Sequence, residues 1–493
     1  MTDATVALTR IEGGLSLEQD DNGAIRLVTR RWRGLEALLT GRAGLEAVYL
    51  TQQCGADASV SHALAAALAC ENAAGVTPPR NGLLLRELLQ NLAAIHAHLR
   101  HFYLQALPDY LPWADLAAYR GARPEVQRAA RALKGRPVAY WARQSQPHPF
   151  SAAQVERLAD NQARALEALD TVQRMLARLG GKFPMVMSIV PGGCTVPLTD
   201  ALLIELRQEL QHIAPLADGL AYEDAALVVA LHPRLKTLGR AGTGLMSVGS
   251  QGEGLPQAQT LMPAGIYTGE RFESYAALAA ESVARSFYEL PAERRQGGPL
   301  LVPAPGRANA YSWIKAPRHQ GRPMEVGALA RLALLHHSVA AGDTGDLLDE
   351  LAKALGGTLT GASSVAGRML ARAAETRILV RRCGEVLEQL APGQPTVAEA
   401  SSVLRATGDG SAEVEAPAGA LRHRTSLEKG KILLWDIIGP STWNGSPRDE
   451  SGQRGPIEAA LAGAGHNLRQ KEDRLAASRI VHSFCFSTID AIQ

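Results

Sequence analysis

CGADASVSHALAAALACENAAGV, residues 54–76, is the stretch from which the fold can be worked out. Ser59 or Ser61 can cap a helix through its alanine-rich part, and Gly75 is suited to end that helix. Beyond it, apolar residues recur at intervals of three and four, which predicts a long amphipathic helix from about residue 82 to residue 106. Two long helices in succession indicate the centre of a helical bundle.

The rest of the chain extends this bundle with helices, loops and a small sheet. Apolar periodicity predicts further helices near residues 151–179, 198–213, 270–289, 326–341 and 364–391. Alternating apolar and polar residues at 5–30 predict a short hairpin or small sheet. Four Gly/Pro-rich stretches predict ordered loops across the helical core: 182–195, 249–267, 297–310 and 407–419. The expected fold class is α+β, predominantly helical, with a central long-helix bundle and small peripheral β-sheets.

Length and charge limit the possible partners. With 493 residues the chain is too long for one compact core, so we expect two or three structural units or one composite domain. Lys and Arg total 51 against 49 Asp and Glu, and no basic cluster interleaved with aromatics occurs. No window approaches the ~18 uninterrupted apolar residues of a membrane span. We therefore expect neither nucleic acid nor a membrane span.

The cysteines indicate the compartment. They are widely spaced and never form CxxC: Cys54, Cys70, Cys194, Cys383 and Cys485. This spacing argues against a disulfide framework or a zinc ribbon and fits a reducing compartment. The first residues also lack the basic and apolar segments of a secretion signal. A cytoplasmic protein is expected.

Several segments of the chain, taken together and in their order along the sequence, form a specific pattern. They are RIEGG (10–14), RGLEALLTGR (33–42), residues 54–76, HFYLQALPD (101–109), YSWIKAPRHQGRPMEVGALAR (311–331), EAPAGALRH (415–423), PSTWNGSPRDESGQRGPIEAAL (440–461) and VHSFCFSTIDAIQ (481–493). In this order they resemble signature segments of the large subunit of nickel-iron hydrogenases. The resemblance covers most of the chain and implies the fold of that subunit.

The resemblance also implies a metal site, and here the chain departs from the pattern. In the family, two cysteine pairs supply four thiolates to nickel and iron, and the iron carries cyanide and carbon monoxide. Cys54 stands at the first thiolate position, and Asp57 or Ala58 at the second. Ser487 and Asp490 align with the two C-terminal cysteines. Because hydroxyl and carboxylate groups are poor substitutes for soft thiolates, nickel is not expected.

The surroundings of the implied metal site are changed more on the nickel side than on the iron side. Ala418 replaces the catalytic Arg of the family, and Cys485 replaces an Asp. By contrast, Leu421, Pro440 and Ser441 match the positions that contact the cyanide and carbonyl ligands. The resemblance therefore implies a better preserved pocket for the iron ligands than for nickel.

Three further residues match the family near the metals. Glu12 matches the proton-transfer Glu, and Glu36 and His62 match residues that surround the metal ligands. His62 is also explained by hydrogen bonding within the helical core.

The candidate metal ligands are two thiols and two carboxylates. The family geometry implies that Cys54 and Cys485 lie close together, and such a pair could hold iron. Asp57 and Asp490 are alternative iron ligands. Each thiol is equally open to a simpler interpretation as a small buried apolar group, and each carboxylate to one as a solvated surface charge.

The resemblance also divides the chain. The expected parts are an N-terminal β-containing segment (1–50), a first helical part (51–215), an irregular α/β insertion (216–325) and a second helical part (326–493), whose end returns to the Cys54 region.

Two functional hypotheses follow. The first is a non-catalytic accessory protein of hydrogenase assembly, similar to hydrogenase expression/formation proteins of the HupK type. It would act as a scaffold or chaperone that transiently holds the iron with its cyanide and carbonyl ligands. Its partners would be maturation factors and the apo large subunit. The second is a cofactor-free structural component of an electron-transfer complex, hydrogenase-like or similar to respiratory complex I, beside an iron-sulfur small subunit.

Overall fold

The N-terminal part of the chain forms the small sheet predicted for it. The computed structural model describes residues 4–8, 10–55, 57–111, 119–133, 149–249, 261–276, 279–292, 301–338, 343–399 and 401–492. Strands β1 (Ala4–Leu8), β2 (Leu15–Gln19) and β3 (Ile25–Val28) form an antiparallel sheet in that order. Alternate residues of β2 are buried, which is why its sequence alternates apolar and polar side chains.

Helices make up most of the remaining structure. The α-helices are α1 (Leu35–Leu39), α2 (Gly44–Leu50), α3 (Ser59–Ala74), α4 (Arg80–Arg100), α5 (Pro124–Leu133), α6 (Ala152–Gly180), α7 (Asp200–Ala214), α8 (Ala221–Leu231), α9 (Ala328–Ser338), α10 (Asp343–Leu355), α11 (Val365–Gln389), α12 (Pro440–Asn444), α13 (Pro456–Ala462), α14 (Lys471–Ser483) and α15 (Thr488–Ala491). A 3₁₀ turn covers Thr51–Cys54, and α4 continues as a π-helical turn over His101–Ala106.

The two helices predicted at the centre lie there. Helix α3 is buried along almost its whole length and ends at Gly75, whose φ of 67° is the left-handed cap for which glycine is favoured. Helix α4 packs against α6 and α11, and α3 packs against the C-terminal sheet. The apolar periodicity near 151–179, 198–213, 326–341 and 364–391 corresponds to α6, α7, α9 and α11. These predictions are confirmed, with 339–342 outside the described residues.

The predicted loop at 407–419 is mostly a strand. Residues 407–419 were expected to be irregular, but β14 (Gly408–Ala416) pairs antiparallel with β15 (Gly419–Glu428), and β15 with β16 (Lys431–Ile438). A Cβ at Gly410 would lie 2.0 Å from the Ala69 carbonyl oxygen. The glycine that suggests a loop therefore lets the strand pass directly over α3.

The helix expected near residues 270–289 is also absent from the described part of that segment. Short strands lie there instead: β8 (Phe272–Glu273), β9 (Ala279–Ser282) and β10 (Tyr288–Glu289). Strand β9 pairs with β12 (Ala316–His319), and β10 with β11 (Val302–Pro303). Pairing with strands distant in sequence overrides the local helical pattern.

The remaining strands join the helical parts. They are β4 (Ile189–Val190), β5 (Gly193–Cys194), β6 (Gly244–Val248), β7 (Ala264–Tyr267) and β13 (Met324–Val326). Strand β13 pairs parallel with β6, which begins a four-stranded sheet β13-β6-β7-β8. The loop expected at 182–195 contains β4 and β5, and the described parts of those expected at 249–267 and 297–310 contain β7 and β11. The last two stretches fall partly outside the described residues. No helix in the described ranges has the length and apolar character needed to span a bilayer.

Candidate functional site

Residues from distant parts of the chain meet in one pocket, here called the central pocket. It is lined by Glu12, Gly55, Asp57, Ala58, Arg100, Gln105, Pro417, Ala418, Pro440, Ser441, Cys485, Phe486, Ser487 and Asp490. They come from the turn after β1, the entrance of α3, the end of α4, the β14–β15 turn, the start of α12 and the segment around α15. The pocket thus collects Asp57, Cys485 and Asp490, three of the four candidate metal ligands, but not Cys54.

The N-terminal and C-terminal segments close one side of this pocket. The backbone N–H of Thr488 donates to the Glu12 carbonyl at 3.0 Å, and the Thr488 hydroxyl to the Gly14 carbonyl at 2.6 Å. The Ser487 hydroxyl donates to Glu12 Oε2 at 2.9 Å. Gly55, with φ 150°, leaves room for this contact, since a Cβ there would lie 3.3 Å from Glu12 Oε2.

An ion pair occupies the region of the second N-proximal thiolate. Arg100, the last residue of α4, donates from Nε to Asp57 Oδ1 at 2.9 Å, and its Nη2 contacts Asp57 Oδ2. The two side chains are only 29% and 19% exposed. Ala58 lines the pocket beside them and carries no donor atom on its side chain. The carboxylate of Asp57 is therefore engaged by a guanidinium.

Asp490 is held from two sides at the position of the last thiolate. Its Oδ2 accepts from the Ser441 backbone N–H at 2.8 Å, and its Oδ1 lies 3.2 Å from His62 Nε2. His62 Nδ1 lies 2.9 Å from His423 Nε2, so the contact continues into the core. Asp490 is 2% exposed, which rules out the interpretation as a solvated carboxylate.

Ser487 caps the helix that carries Asp490. Its hydroxyl oxygen accepts from the Asp490 backbone N–H at 3.3 Å, the usual N-cap contact. The hydroxyl is thus shared between this cap and Glu12. The two residues in C-terminal cysteine positions are tied into the local backbone.

The two candidate thiols lie in different places relative to the pocket. Cys485 lines it, with a left-handed φ of 55°. Burial raises the pKa of Cys485 to about 11. Cys54 is completely buried and is not among the lining residues; burial, and then the charge of Asp490, raises its pKa well above the ordinary value. Asp490 also raises the pKa of Cys485, so this carboxylate is an electrostatic neighbour of both thiols.

Of the three residues matched to the iron-ligand pocket, two line the central pocket and one does not. Pro440 and Ser441 line the central pocket at the start of α12. Leu421 is fully buried in β15 and is not part of the lining. The Ser441 hydroxyl oxygen accepts from the Ser487 N–H at 3.1 Å. Both the N–H and the hydroxyl of Ser441 thus have partners inside the protein.

Glu36 lies outside the central pocket in a buried ion cluster. Lys315 Nζ donates to Glu36 Oε1 at 2.7 Å and to Asp436 Oδ1 at 2.8 Å. Burial alone would lower the pKa of Lys315, but Asp436 and Glu36 raise it well above its usual value. Glu36 also accepts from the Ile437 N–H at 2.6 Å, which fixes α1 against β16.

Arg100 is the pocket residue that sequence patterns did not single out. It stands in HLRHFY at the end of a helix, where an arginine is common because its positive charge interacts favourably with the negative end of the helix dipole. Its partner is 43 residues away, so no local spacing pattern reveals the pair. Among the described residues, no group of three or more His, Cys, Asp or Glu side chains is arranged to hold a metal ion.

Comparison with known proteins identifies the relatives of this chain. A family model described as nickel-dependent hydrogenase matches residues 33–155 and 138–487. The periplasmic [NiFeSe] hydrogenase large subunit of Desulfomicrobium baculatum is 29% identical over 479 residues, covering 92% of this chain and 88% of that protein. The hydrogenase-2 large chain of Escherichia coli K12 is 27% identical over 548 residues, covering 97% and 94%.

The solved structures show the same similarity in three dimensions. The reduced Ni-Fe-Se hydrogenase of D. vulgaris Hildenborough superposes with a TM-score of 0.84 at 26% sequence identity, covering 100% of each chain. The H2-activated enzyme of Dm. baculatum superposes with a TM-score of 0.82 at 25% identity. The expected large-subunit fold is confirmed.

Proposed function

The chain belongs to the nickel-dependent hydrogenase family, and from this premise we propose that it serves hydrogenase assembly and does not itself turn over hydrogen. In this role it holds iron with cyanide and carbonyl ligands before transfer to a catalytic large subunit, as in accessory proteins of the HupK type. Its partners are maturation factors and the apo large subunit, and its compartment is the cytoplasm.

The observation that carries this proposal is the Asp57–Arg100 pair. A nickel-iron centre needs several soft anionic ligands that converge on one point. The resemblance assigns one such position to Asp57, whose carboxylate is neutralised by the Arg100 guanidinium, or to Ala58, which has no ligand atom. The residues of the central pocket therefore do not fit nickel.

Other residues of the pocket support a role with iron. Pro440, Ser441, Cys485 and Asp490 line the pocket. The charge of Asp490 also acts on the buried thiol of Cys54, which is not part of the lining. Binding iron through a thiol releases its proton, because the thiolate is the ligand. A raised pKa makes that release unfavourable without metal, which suits reversible holding.

A second candidate is supported by the extent of the similarity. The chain and the solved large subunit cover each other completely. A scaffold for one iron group does not require the entire large-subunit surface, whereas a structural component beside an iron-sulfur small subunit does. This candidate predicts a stable complex with such a subunit and an empty central pocket.

The deciding experiment is purification from cells that express the maturation machinery, followed by infrared spectroscopy in the cyanide and carbonyl region. Iron and nickel are measured on the same sample. We expect infrared bands with iron and without nickel. The bands should be lost in Cys485→Ala or Cys54→Ala and kept in Cys383→Ala, a matched control because Cys383 is a buried helix residue outside the pocket.

Other outcomes decide against the proposal. Stoichiometric nickel or hydrogen turnover would show that the chain is an enzyme. Absence of the bands, together with a co-purifying iron-sulfur subunit, would favour the structural component.

A further inference from the structure

A second, smaller pocket lies between α11, α14 and the end of α4, and is here called the basic pocket. The lining residues that matter are Arg372, Arg479, His482, His101, Asp109 and Tyr110. It is distinct from the central pocket, since the two share no lining residue. None of its residues was a candidate for function from the sequence.

Three nitrogen atoms of this lining are buried without a hydrogen-bond partner. They are Arg372 Nε, Arg479 Nε and His482 Nε2. Arg372 is 6% exposed and His482 4%, whereas Arg479 is partly exposed but has a buried Nε atom. An arginine Nε–H can only donate, and leaving it unpartnered inside a protein is costly.

The positive charge around these atoms exceeds the negative charge. Asp109, the acid in the lining, already contacts Arg10 and lies 2.9 Å from His482 Nδ1. Arg372 donates from Nη1 to the Arg368 carbonyl at 3.2 Å, and Arg479 from Nη2 to the Asp109 carbonyl at 2.6 Å. The carboxylate of Asp109 is thus engaged by Arg10 and His482, while these contacts of the two lining guanidiniums are to uncharged carbonyl oxygens.

The neighbours of Arg372 increase this imbalance. Glu375, one turn along α11, is held by Arg331 at 2.6 Å and 2.7 Å. Burial raises the pKa of the neighbouring Cys485 thiol to about 11, so this thiol supplies no negative charge to Arg372 at neutral pH. Burial and the like charge of Arg368 lower the pKa of Arg372.

We propose that the basic pocket binds a small monovalent anion of the size of chloride or formate. The anion accepts from Arg372 Nε and Arg479 Nε and neutralises their charge. The cavity offers about 10 Å³ to the centre of a water-sized sphere, which limits its occupant to a small ion or a water molecule. The site is separate from the function proposed above and does not depend on it.

The alternative occupant is water, which also satisfies buried donors. An anion and water differ in their response to solutes, because only a specific ligand stabilises the fold in a saturable way. The test is thermal unfolding at constant ionic strength while gluconate is replaced by chloride or formate. For the wild-type chain we expect a saturable rise in the unfolding temperature with either small anion.

Variants separate a specific site from a general salt effect. In Arg372→Gln the saturable rise should disappear, whereas Arg234→Gln, at an exposed arginine, should keep it. A wild-type chain that unfolds at the same temperature in gluconate, chloride and formate would overturn the proposal. So would an Arg372→Gln variant that keeps the full rise.

A measurement on the wild-type chain alone covers the case in which Arg372→Gln does not fold. The probe is the line width of the ³⁵Cl resonance in chloride buffer. We expect protein-dependent broadening that formate removes by competition. Broadening that formate leaves unchanged, or no broadening, would contradict the anion site.

Discussion

The buried ion pairs of the helical core and the charged groups of the central pocket differ in how their carboxylates are neutralised. In the core, Arg331 donates to Glu375 and, at 2.6 Å, to Glu415, so one cation bridges two carboxylates from α11 and β14. In the pocket, Asp57 pairs with Arg100, and Asp490 with Ser441 and His62. The core pairs hold elements together, whereas the pocket pairs lie at positions that the sequence resemblance assigned to metal ligands.

The largest effect is expected where the core pairs are broken. Arg331→Met leaves the buried carboxylates of Glu375 and Glu415 without their cation, and should lower the free energy of unfolding by about 3–5 kcal/mol. Urea denaturation measures this. Arg174→Met is the control, because the Arg174–Asp170 pair is 51% and 66% exposed and should contribute less than about 1 kcal/mol. Equal losses in both variants would remove the distinction between core and surface pairs.

A second effect concerns a core carboxylate whose partners are neutral. Glu458 accepts from the Leu27 N–H at 3.1 Å and the Tyr311 hydroxyl at 3.0 Å, and burial raises its pKa to about 7. The folded chain therefore keeps this proton at pH values where the unfolded chain has lost it. The contribution of protonated Glu458 to the free energy of unfolding is full below about pH 4. It declines as the pH rises to about 7, by up to about 3 kcal/mol.

Glu458→Gln tests this pH dependence. The variant lacks the titrating group, so its free energy of unfolding should fall less than that of the wild type between pH 4.5 and pH 8. Denaturation at several pH values measures the difference. Parallel curves for the two chains would show that Glu458 is not responsible.

In the pocket, Asp490→Asn should cost less than the core variant. The amide keeps one oxygen for the Ser441 N–H but loses the charge next to His62, so we expect a loss of about 1–3 kcal/mol. Asp170→Asn, at an exposed aspartate, is the control. A loss as large as that of Arg331→Met would mean that the pocket is as essential to folding as the core.

The smallest effect is expected at the Asp57–Arg100 pair. A double-mutant cycle with Asp57→Ala and Arg100→Ala should give a coupling energy of about 1 kcal/mol, because the pair is partly exposed. Chemical denaturation of the four chains measures it. Zero coupling would show that the two side chains occupy the pocket independently.

The parts of the fold that could be predicted are those fixed by local sequence. Helix α3 ends at Gly75 because the left-handed cap is a property of that residue, and α4 follows the spacing of its own leucines. Strand β14 could not be predicted, because Gly410 is explained only by the Ala69 carbonyl against which it packs. The segment at 270–289 differs for the same reason, since its strands pair with distant ones.

The site was predictable to the extent that the family order places residues together. Glu12, Asp57, Cys485, Ser441 and Asp490 line one pocket, as that order implied. Their roles as ligands remain predictions. The sequence does not reveal which polar groups form hydrogen bonds and ion pairs with one another. The pairing of Arg100 with Asp57 and that of Lys315 with Glu36 depend on distances across the folded chain.

The contact between Ser487 and Glu12 has a consequence for biosynthesis. It joins residues 475 positions apart. At roughly 5–20 residues per second, the ribosome adds Ser487 on the order of 24 to 95 s after Glu12. During that time the emerging chain can build α3 and α4, but one wall of the central pocket does not yet exist. Any ligand of the completed pocket therefore arrives after translation of this segment.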